Sequence, residues 1–223
     1  ISLFSMMNSK KLALSFAGLK NIISCNNSNT FRFIFGKYEI QTNNFNAEFI
    51  SPTVVDLHQN DVTIDKIDYS NINEINQCLT EEVVNLFKDL LCGKSIEINE
   101  NQCYQLRIIS MLIGNVELLN AINELFPISI NNSNIKEIVQ YLTTFESISR
   151  VANNFDYQSF VDDVAGYLYL FDENTLLSLP FQVLLAIVSS NNLKVDEDFL
   201  LHLFIQFIDQ NEESFELLEH IDF

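Results

Sequence analysis

The sequence predicts an α+β first half followed by an all-α second half, with the boundary near residues 127–133. Strand-like alternation of apolar and polar residues is confined to the part before Ile130. Apolar residues at helical spacing dominate after it, and only 5 Gly and 3 Pro interrupt the 223 residues. With 48% hydrophobic residues, the chain is too apolar for disorder and long enough for real cores.

A helix and a hairpin are predicted first. Residues 11–24 carry apolar side chains about a helical period apart, which predicts an amphipathic helix. These side chains are Leu12, Phe16, Leu19 and Ile23. Residues 31–42 alternate apolar and polar side chains around Gly36, which predicts a β-hairpin with a tight turn.

A capped helix and a third strand are predicted next. Pro52 fits the first turn of a helix, and the preceding Ser51 is a residue type that caps one. The apolar face of this helix is predicted to be Val54, Val55 and Leu57. Residues 62–69 alternate again and predict a strand.

The middle of the chain is predicted to be helical. Residues 81–91 begin with two acids, as the helix dipole prefers, and Gly93 follows as a typical C-terminal cap. Residues 95–98 are predicted to be extended. A helix pair is predicted after them, at residues 99–112 and 116–125.

The second half is predicted to contain only helices. The predicted helical segments are residues 134–144, 155–171, 180–189, 197–210 and 213–220. The second of these is rich in aromatic residues and carries an apolar stripe. The stripe could line a binding groove or pack in the core, and the core is favoured. The stripe consists of Phe160, Val164, Tyr167, Leu168 and Phe171, with Gln158, Asp162 and Asp163 expected on the wet side.

Charge limits the class of partner. The chain has 12 Lys and Arg against 30 Asp and Glu, a net charge of −18. Phosphate backbones and anionic membrane surfaces require clustered cations, so neither nucleic acid nor membrane is expected as a partner. The acidic surplus is expected chiefly to keep an apolar protein soluble.

No metal, cofactor or catalytic site is predicted. The cysteines, Cys25, Cys78, Cys92 and Cys103, lack the paired spacing of zinc ligands and are expected to be buried free thiols in a reducing, cytoplasmic setting. The carboxylate clusters at residues 162–163 and 196–198 are expected to cap helix starts rather than to perform acid–base chemistry. The histidines have no Ser or Cys partner at a recognisable spacing, and no Gly-rich phosphate loop occurs. We therefore do not expect an enzyme.

The order of elements resembles that of a BTB/POZ domain followed by a BACK domain. The sequence FRFIFGKYEIQTNNFNAEFISPTV is similar to the BTB hairpin and Ser-Pro helix start, and VVNLFKDLLCGKSIEINENQCYQL to a later helix, Gly, strand and helix of that fold. The sequence LLSLPFQVLLAIVSSNNLKVDEDFLLHLFIQFID resembles a BACK domain and is the more specific match. The resemblance implies an α+β BTB/POZ-like domain with a small sheet at residues 10–127. It implies an all-α BACK-like domain at residues 128–223, with further BACK sequence expected beyond Phe223.

The resemblance implies a non-catalytic scaffold or adaptor that binds proteins. In the family the first helix packs across a homodimer, and Leu12, Phe16, Leu19 and Ile23 match that role. The alternative is that this helix covers the core of its own domain. Adaptors of cullin-type ubiquitin ligases are common in the family, but the hydrophobic-x-Glu motif that recruits cullin is missing after the Ser-Pro helix. A structural component of a larger assembly, such as a cytoskeletal complex, is therefore the second hypothesis.

Overall fold

The computed structural model of the chain describes residues 9–12, 30–149 and 157–210. It is a mixed α+β structure that is mostly helical and has small sheets, which agrees with the coarse fold class predicted from the sequence. The chain divides into two compact units. Unit 1 comprises residues 1–128 and 150–155, and unit 2 comprises residues 129–149 and 156–223.

Unit 1 combines five strands with six helices among its described residues. The strands are β1 (Lys10–Leu12), β2 (Thr30–Phe35), β3 (Tyr38–Asn43), β4 (Lys66–Asp68) and β5 (Ile96–Ile98). The helices are α1 (Asn44–Ile50), α2 (Pro52–Asn60), α3 (Asn73–Cys78), α4 (Glu81–Leu91), α5 (Glu100–Leu112) and α6 (Val116–Leu125). The strands form one three-stranded sheet in the order β3-β2-β4 and one two-stranded sheet of β1 and β5.

The predicted hairpin is confirmed. Strands β2 and β3 pair antiparallel from Thr30 opposite Asn43 to Phe35 opposite Tyr38. Gly36 in the turn has a φ of 61°, a left-handed conformation that glycine adopts without a steric penalty. The alternating β2 residues Phe31, Phe33 and Phe35 are fully buried, so one face of the sheet packs on the core.

An aromatic cluster forms the centre of this core. The ring of Phe87 from α4 meets the rings of Phe33 and Phe35 edge-on, with centroids 6.3 and 6.0 Å apart. Tyr69, just after β4, stacks on Phe35 at 5.8 Å. Edge-to-face contacts of this kind add to the free energy gained by burying the rings.

Two helix ends in unit 1 explain why the middle of the chain was predictable. After α4, Gly93 has a φ of 68°, and the amides of Gly93 and Lys94 donate to the carbonyls of Leu90 and Asp89. This pattern is a Schellman cap, as Gly93 predicted. Helix α5 begins with a capping box in which Asn99 and Gln102 satisfy each other's backbone amides.

The helix predicted from residue 11 is wrong at its start. Lys11 and Leu12 lie in strand β1, which pairs antiparallel with β5. The pairing provides hydrogen-bond partners for the backbone groups along the edge of β5. It buries Leu12, while Lys10 and Lys11 stay exposed. Lys10 Nζ also donates to the carbonyl of Leu125 at 2.7 Å. Long-range backbone pairing, which periodicity does not contain, therefore decides the conformation here.

The third strand is shorter than predicted. Only Lys66–Asp68 pairs with β2, in parallel, whereas the preceding residues form a turn. Asp61 Oδ1 accepts from both the amide and the hydroxyl of Thr63 and so holds the turn. Val62 lies in this turn and is 74% exposed. The alternation of apolar and polar residues here therefore does not mark a strand with one buried face.

Unit 2 contains only helices among its described residues. They are α7 (Ile135–Ser149), α8 (Tyr157–Ala165), a 3₁₀ turn (Leu168–Leu170), α9 (Glu173–Leu177), α10 (Phe181–Val188) and α11 (Glu197–Gln210). Its core includes Tyr141 and Phe145 of α7 against Phe160 of α8, with ring centroids 5.2 to 6.1 Å apart. Helix α8 packs on both α7 and α10.

The long helix predicted at residues 155–171 is interrupted. Helix α8 ends at Ala165, and the chain continues through Gly166 into the 3₁₀ turn. The predicted stripe residues Phe160, Val164, Leu168 and Phe171 are buried, but the interruption turns Tyr167 outward, where it is 44% exposed. The short helices α1, α3 and α9 were not predicted. Residues 213–220 lie outside the described residues.

Candidate interaction surface

Large apolar side chains reach solvent at a few places on the described part of the chain. They are Phe45, Phe49, Val62, Val116, Tyr167, Tyr169 and Ile205. Exposed aromatic residues matter most here, because they carry the largest apolar area and are enriched in protein interfaces. They occur as two pairs, one in each unit.

The pair in unit 1 lies on helix α1. Phe45 and Phe49 are 38% and 45% exposed, and their rings stack with centroids 6.3 Å apart. They are four residues apart and therefore share one helix face, whereas Ala47 and Ile50 point into the core. We call Phe45 and Phe49 the α1 ledge. It is an apolar patch on a helix that is itself anchored.

Ser51 anchors the end of α1. It lies between α1 and α2, where its hydroxyl accepts from the amide of Val54 and caps α2, with Pro52 in the first turn. The same hydroxyl donates to the carbonyl of Ile113 at 2.8 Å. The predicted capping role of Ser51 is therefore confirmed, and the residue also ties the two helices to the turn between α5 and α6.

Asn115 makes the reciprocal connection. Its Nδ2 donates to the carbonyl of Ile50 at 2.7 Å, and its Oδ1 accepts from the amide of Leu118 and caps α6. Gly114 makes this close approach feasible, since its φ is 70° and a Cβ there would lie 2.9 Å from Thr53 Oγ1. The α5–α6 turn therefore fixes the orientation of the α1 ledge.

His58 holds the other side of α1. Its side chain is 6% exposed, its Nδ1 lies 2.6 Å from Glu48 Oε1, and its Nε2 lies 2.8 Å from the carbonyl oxygen of Ile64. Burial lowers the pKa of His58. The hydrogen bonds to Glu48 and Ile64 and the carboxylates of Glu48 and Asp61 outweigh burial, so the pKa lies above its ordinary value. The sequence predicted Val54, Val55 and Leu57 as the apolar face of α2, but the buried side chains are Val54 and His58.

The second aromatic pair lies after α8. Tyr167 and Tyr169 are 44% and 62% exposed, with ring centroids 6.4 Å apart. Nearby, Asp162 Oδ1 accepts from Ser190 Oγ at 2.7 Å and from Gln158 Nε2 at 2.9 Å. These hydrogen bonds lower the pKa of the Asp162 carboxyl. The carboxylate therefore links α8 to the loop after α10, and it lies within α8 rather than at the predicted helix start.

The predicted interface residues are only partly described. Leu12 is 2% exposed and lies in β1, so its side chain contributes to the core of unit 1. Phe16, Leu19 and Ile23 lie outside the described residues. The dimer interface through these four residues stays a prediction.

The second carboxylate cluster and the thiols occupy different settings. Asp196 immediately precedes α11, and its Oδ1 accepts from the amide of Asp198 in the first turn, as capping predicted. Cys103 is buried, whereas Cys92 is exposed, contrary to the expectation of buried thiols. Among the described residues, no three His, Cys, Asp or Glu side chains are grouped as metal ligands would be.

Sequence reasoning missed the α1 ledge and His58. The signal for the ledge was present, because two Phe four residues apart lie opposite the Ala47 and Ile50 positions of the same helix. No signal marked His58, whose partners Glu48 and Ile64 are brought to it by the fold.

In the parts of the chain that the structure describes, no helix combines the length and apolar character of a membrane span. No protein-family model matches the chain, and no curated protein is significantly similar to it.

Proposed function

We propose that this chain is a non-catalytic protein-interaction module of the BTB-BACK type, used as a scaffold or adaptor. The observation that carries the proposal is the α1 ledge. Phe45 and Phe49 are exposed to solvent, yet the helix beneath them is attached through Ser51, Asn115 and His58. A rigid aromatic surface loses little conformational entropy when a partner covers it.

The order of elements supports the family assignment. Strand β1, a hairpin, two helices joined at Ser51-Pro52, strand β4, the two helices α3 and α4, the short strand β5 and a helix pair follow one another in the described residues of unit 1. Unit 2 follows with helices alone in its described residues. From the hairpin onward, and apart from the additional helix α3, this order agrees with the one that the resemblance to BTB and BACK domains implies, although fold resemblance by itself does not specify a partner.

The segment after α2 favours a scaffold without a ubiquitin-ligase role as the second candidate. Helix α2 ends at Asn60, and a turn of five residues leads directly to β4 at Lys66. The five residues of this turn contain no Glu and so lack the hydrophobic-x-Glu pattern that recruits cullin in the family. A structural component of a larger assembly therefore competes with the adaptor.

Sedimentation velocity tests the proposal first. The variants are Phe45→Ser with Phe49→Ser, which removes the ledge, and Tyr169→Ser, a matched loss of an exposed aromatic ring in unit 2. We expect both to fold, since these three rings are 38% to 62% exposed and none belongs to the buried core. If the wild type is a dimer, the ledge variant should shift towards monomer and the control should not. A Phe16→Asp variant tests the predicted first-helix interface in the same way.

Affinity purification with mass spectrometry covers the case of a monomeric wild type. Proteins captured by the wild type and by Tyr169→Ser, but lost with the double ledge variant, would support the proposal. Cullin-type subunits among them would favour the adaptor, and filament proteins the structural component. If neither self-association nor capture depends on the ledge, the proposed role of this surface is wrong.

A further inference from the structure

His58 is enclosed by three elements of unit 1. It lies on α2, and its two ring nitrogens reach Glu48 on α1 and the carbonyl of Ile64 in the turn before β4. On the side of β2 the ring meets Phe31 edge-on, with centroids 5.6 Å apart. With its side chain 6% exposed, His58 has little access to water as an alternative partner.

Both partners of the imidazole can only accept hydrogen bonds. A carboxylate oxygen and a backbone carbonyl oxygen have lone pairs but no hydrogen to donate. A neutral imidazole carries one N–H and can therefore satisfy only one of them, while an imidazolium carries two and satisfies both. We propose that His58 is a charged double donor in this structure, and that losing its proton releases the turn at residues 61–65 from α2. This pair of bonds is then a pH-operated clasp.

The groups around the ring favour the charged form. Glu48 faces it from α1, and Asp61 lies at the end of α2 itself. Beyond Ile64, Asp65 Oδ2 lies 3.0 Å from Arg32 Nη2 of β2. The two groups form an ion pair, so their charges compensate each other. β2 presents the Phe31 ring to His58, and that side chain carries no net charge. The pKa of His58 lies above its ordinary value, which agrees with this arrangement of charges.

The geometry also decides which bond is lost. A neutral ring keeps its remaining proton on Nδ1, because a bond to the Glu48 carboxylate is charge-assisted and a lone pair facing that carboxylate would be repelled. Nε2 then presents a lone pair to the Ile64 carbonyl at the distance of a hydrogen bond. Two lone pairs repel at that distance, so the turn moves away and α1 stays attached. The turn leads into β4, which pairs with β2 through only three residues.

The sign of the pH dependence follows from the raised pKa. The stabilisation is fully present below the unfolded-state value of 6.5 and is lost as the pH rises through the folded-state value. The clasp is therefore closed in mildly acidic solution and opens as the pH rises through the raised pKa of His58. The proposal goes beyond the interaction function and does not depend on it.

Nuclear magnetic resonance of the imidazole nitrogens tests the charge directly. At pH 6 the ¹⁵N shifts of His58 should be those of an imidazolium, and the titration should be centred above the usual pH for histidine. His58→Gln identifies its signals, and if that variant does not fold, His202→Gln and His220→Gln identify them by elimination. A His58 that is neutral at pH 6 would overturn the proposal.

Hydrogen exchange tests the release of the turn. After correction for the intrinsic pH dependence of exchange, protection in peptides covering residues 61–68 should fall as His58 loses its proton, while peptides of α1 keep theirs. Glu48→Gln retains an acceptor but removes the charge, and should lower the midpoint of both the titration and the release by about one pH unit or more. His202→Gln removes a 66% exposed histidine and should change neither. A turn whose protection does not follow the His58 titration, or a midpoint unmoved by Glu48→Gln, would contradict the clasp.

Discussion

Replacing Asn115 by Ala should lower the local free energy of unfolding in unit 1 by about 2–4 kcal/mol, from two separate losses. The first is the cap of α6, where Oδ1 accepts from the Leu118 amide at 2.8 Å, and such caps contribute about 1 kcal/mol. The second is the bond from Nδ2 to the Ile50 carbonyl at 2.7 Å, whose removal leaves a buried acceptor unsatisfied at a cost of about 1–3 kcal/mol.

Two further variants separate these losses. Asn115→Ser keeps an oxygen for the cap, but its side chain is too short to reach Ile50, so only the second loss should remain. Asn43 is the matched control, because its side chain caps α1 through one bond to the Asn46 amide at 2.8 Å. Asn43→Ala should therefore cost about 1 kcal/mol, the usual worth of a cap alone.

Hydrogen exchange read by mass spectrometry is the suitable assay. The chain has no Trp and divides into two units, so a single optical signal would average over both. Peptides of α1 and α6 should lose the most protection in Asn115→Ala, while peptides of unit 2 keep theirs. If Asn115→Ala costs no more than Asn43→Ala, the bond to Ile50 contributes nothing and the account of how α1 is anchored is wrong.

Three other changes test the core, the backbone and the thiols. Phe87→Ala should cost about 3–5 kcal/mol in denaturant unfolding, because it opens a cavity among the buried aromatic rings, and a cost below about 1 kcal/mol would contradict the packing described. Gly114→Ala should lower the midpoint temperature of unfolding, because the φ of Gly114 is 70°. Gly166→Ala should have a much smaller effect, because a Cβ there would lie no closer than 3.4 Å to its neighbours. Burial raises the pKa of the Cys103 thiol to about 11, so at pH 8 iodoacetamide should modify the exposed Cys92 well before Cys103, and equal rates by mass spectrometry would refute the burial.

Local signals predicted the elements that local interactions determine. The hairpin was predictable because Gly36 permits the turn and the flanking Phe residues alternate. The end of α4 was predictable because Gly93 completes its cap. In each case the deciding hydrogen bonds join residues that are close in the sequence.

The errors arise where distant residues decide the structure. Lys11 and Leu12 share a helical spacing with the apolar residues after them, but pairing with β5 makes them a strand. The aromatic segment after Tyr157 was predicted to be one helix, although it breaks at Gly166, which exposes Tyr167. For the candidate site, the sequence indicated Ser51 as a cap. It could not indicate that Ser51 also bonds the Ile113 carbonyl, 62 residues further along the chain.

The parallel pairing of β4 with β2 has a consequence for the order of folding. β2 and β3 are joined by two residues and can zip together from their turn, whereas β4 must close a loop of about thirty residues before it pairs with β2. The hairpin is therefore expected to form early and β4 to join it late. Until β4 arrives, the backbone N–H and C=O groups along the far edge of β2 are open to pairing with other chains. The interval before that closure is the stage at which this protein is most exposed to aggregation.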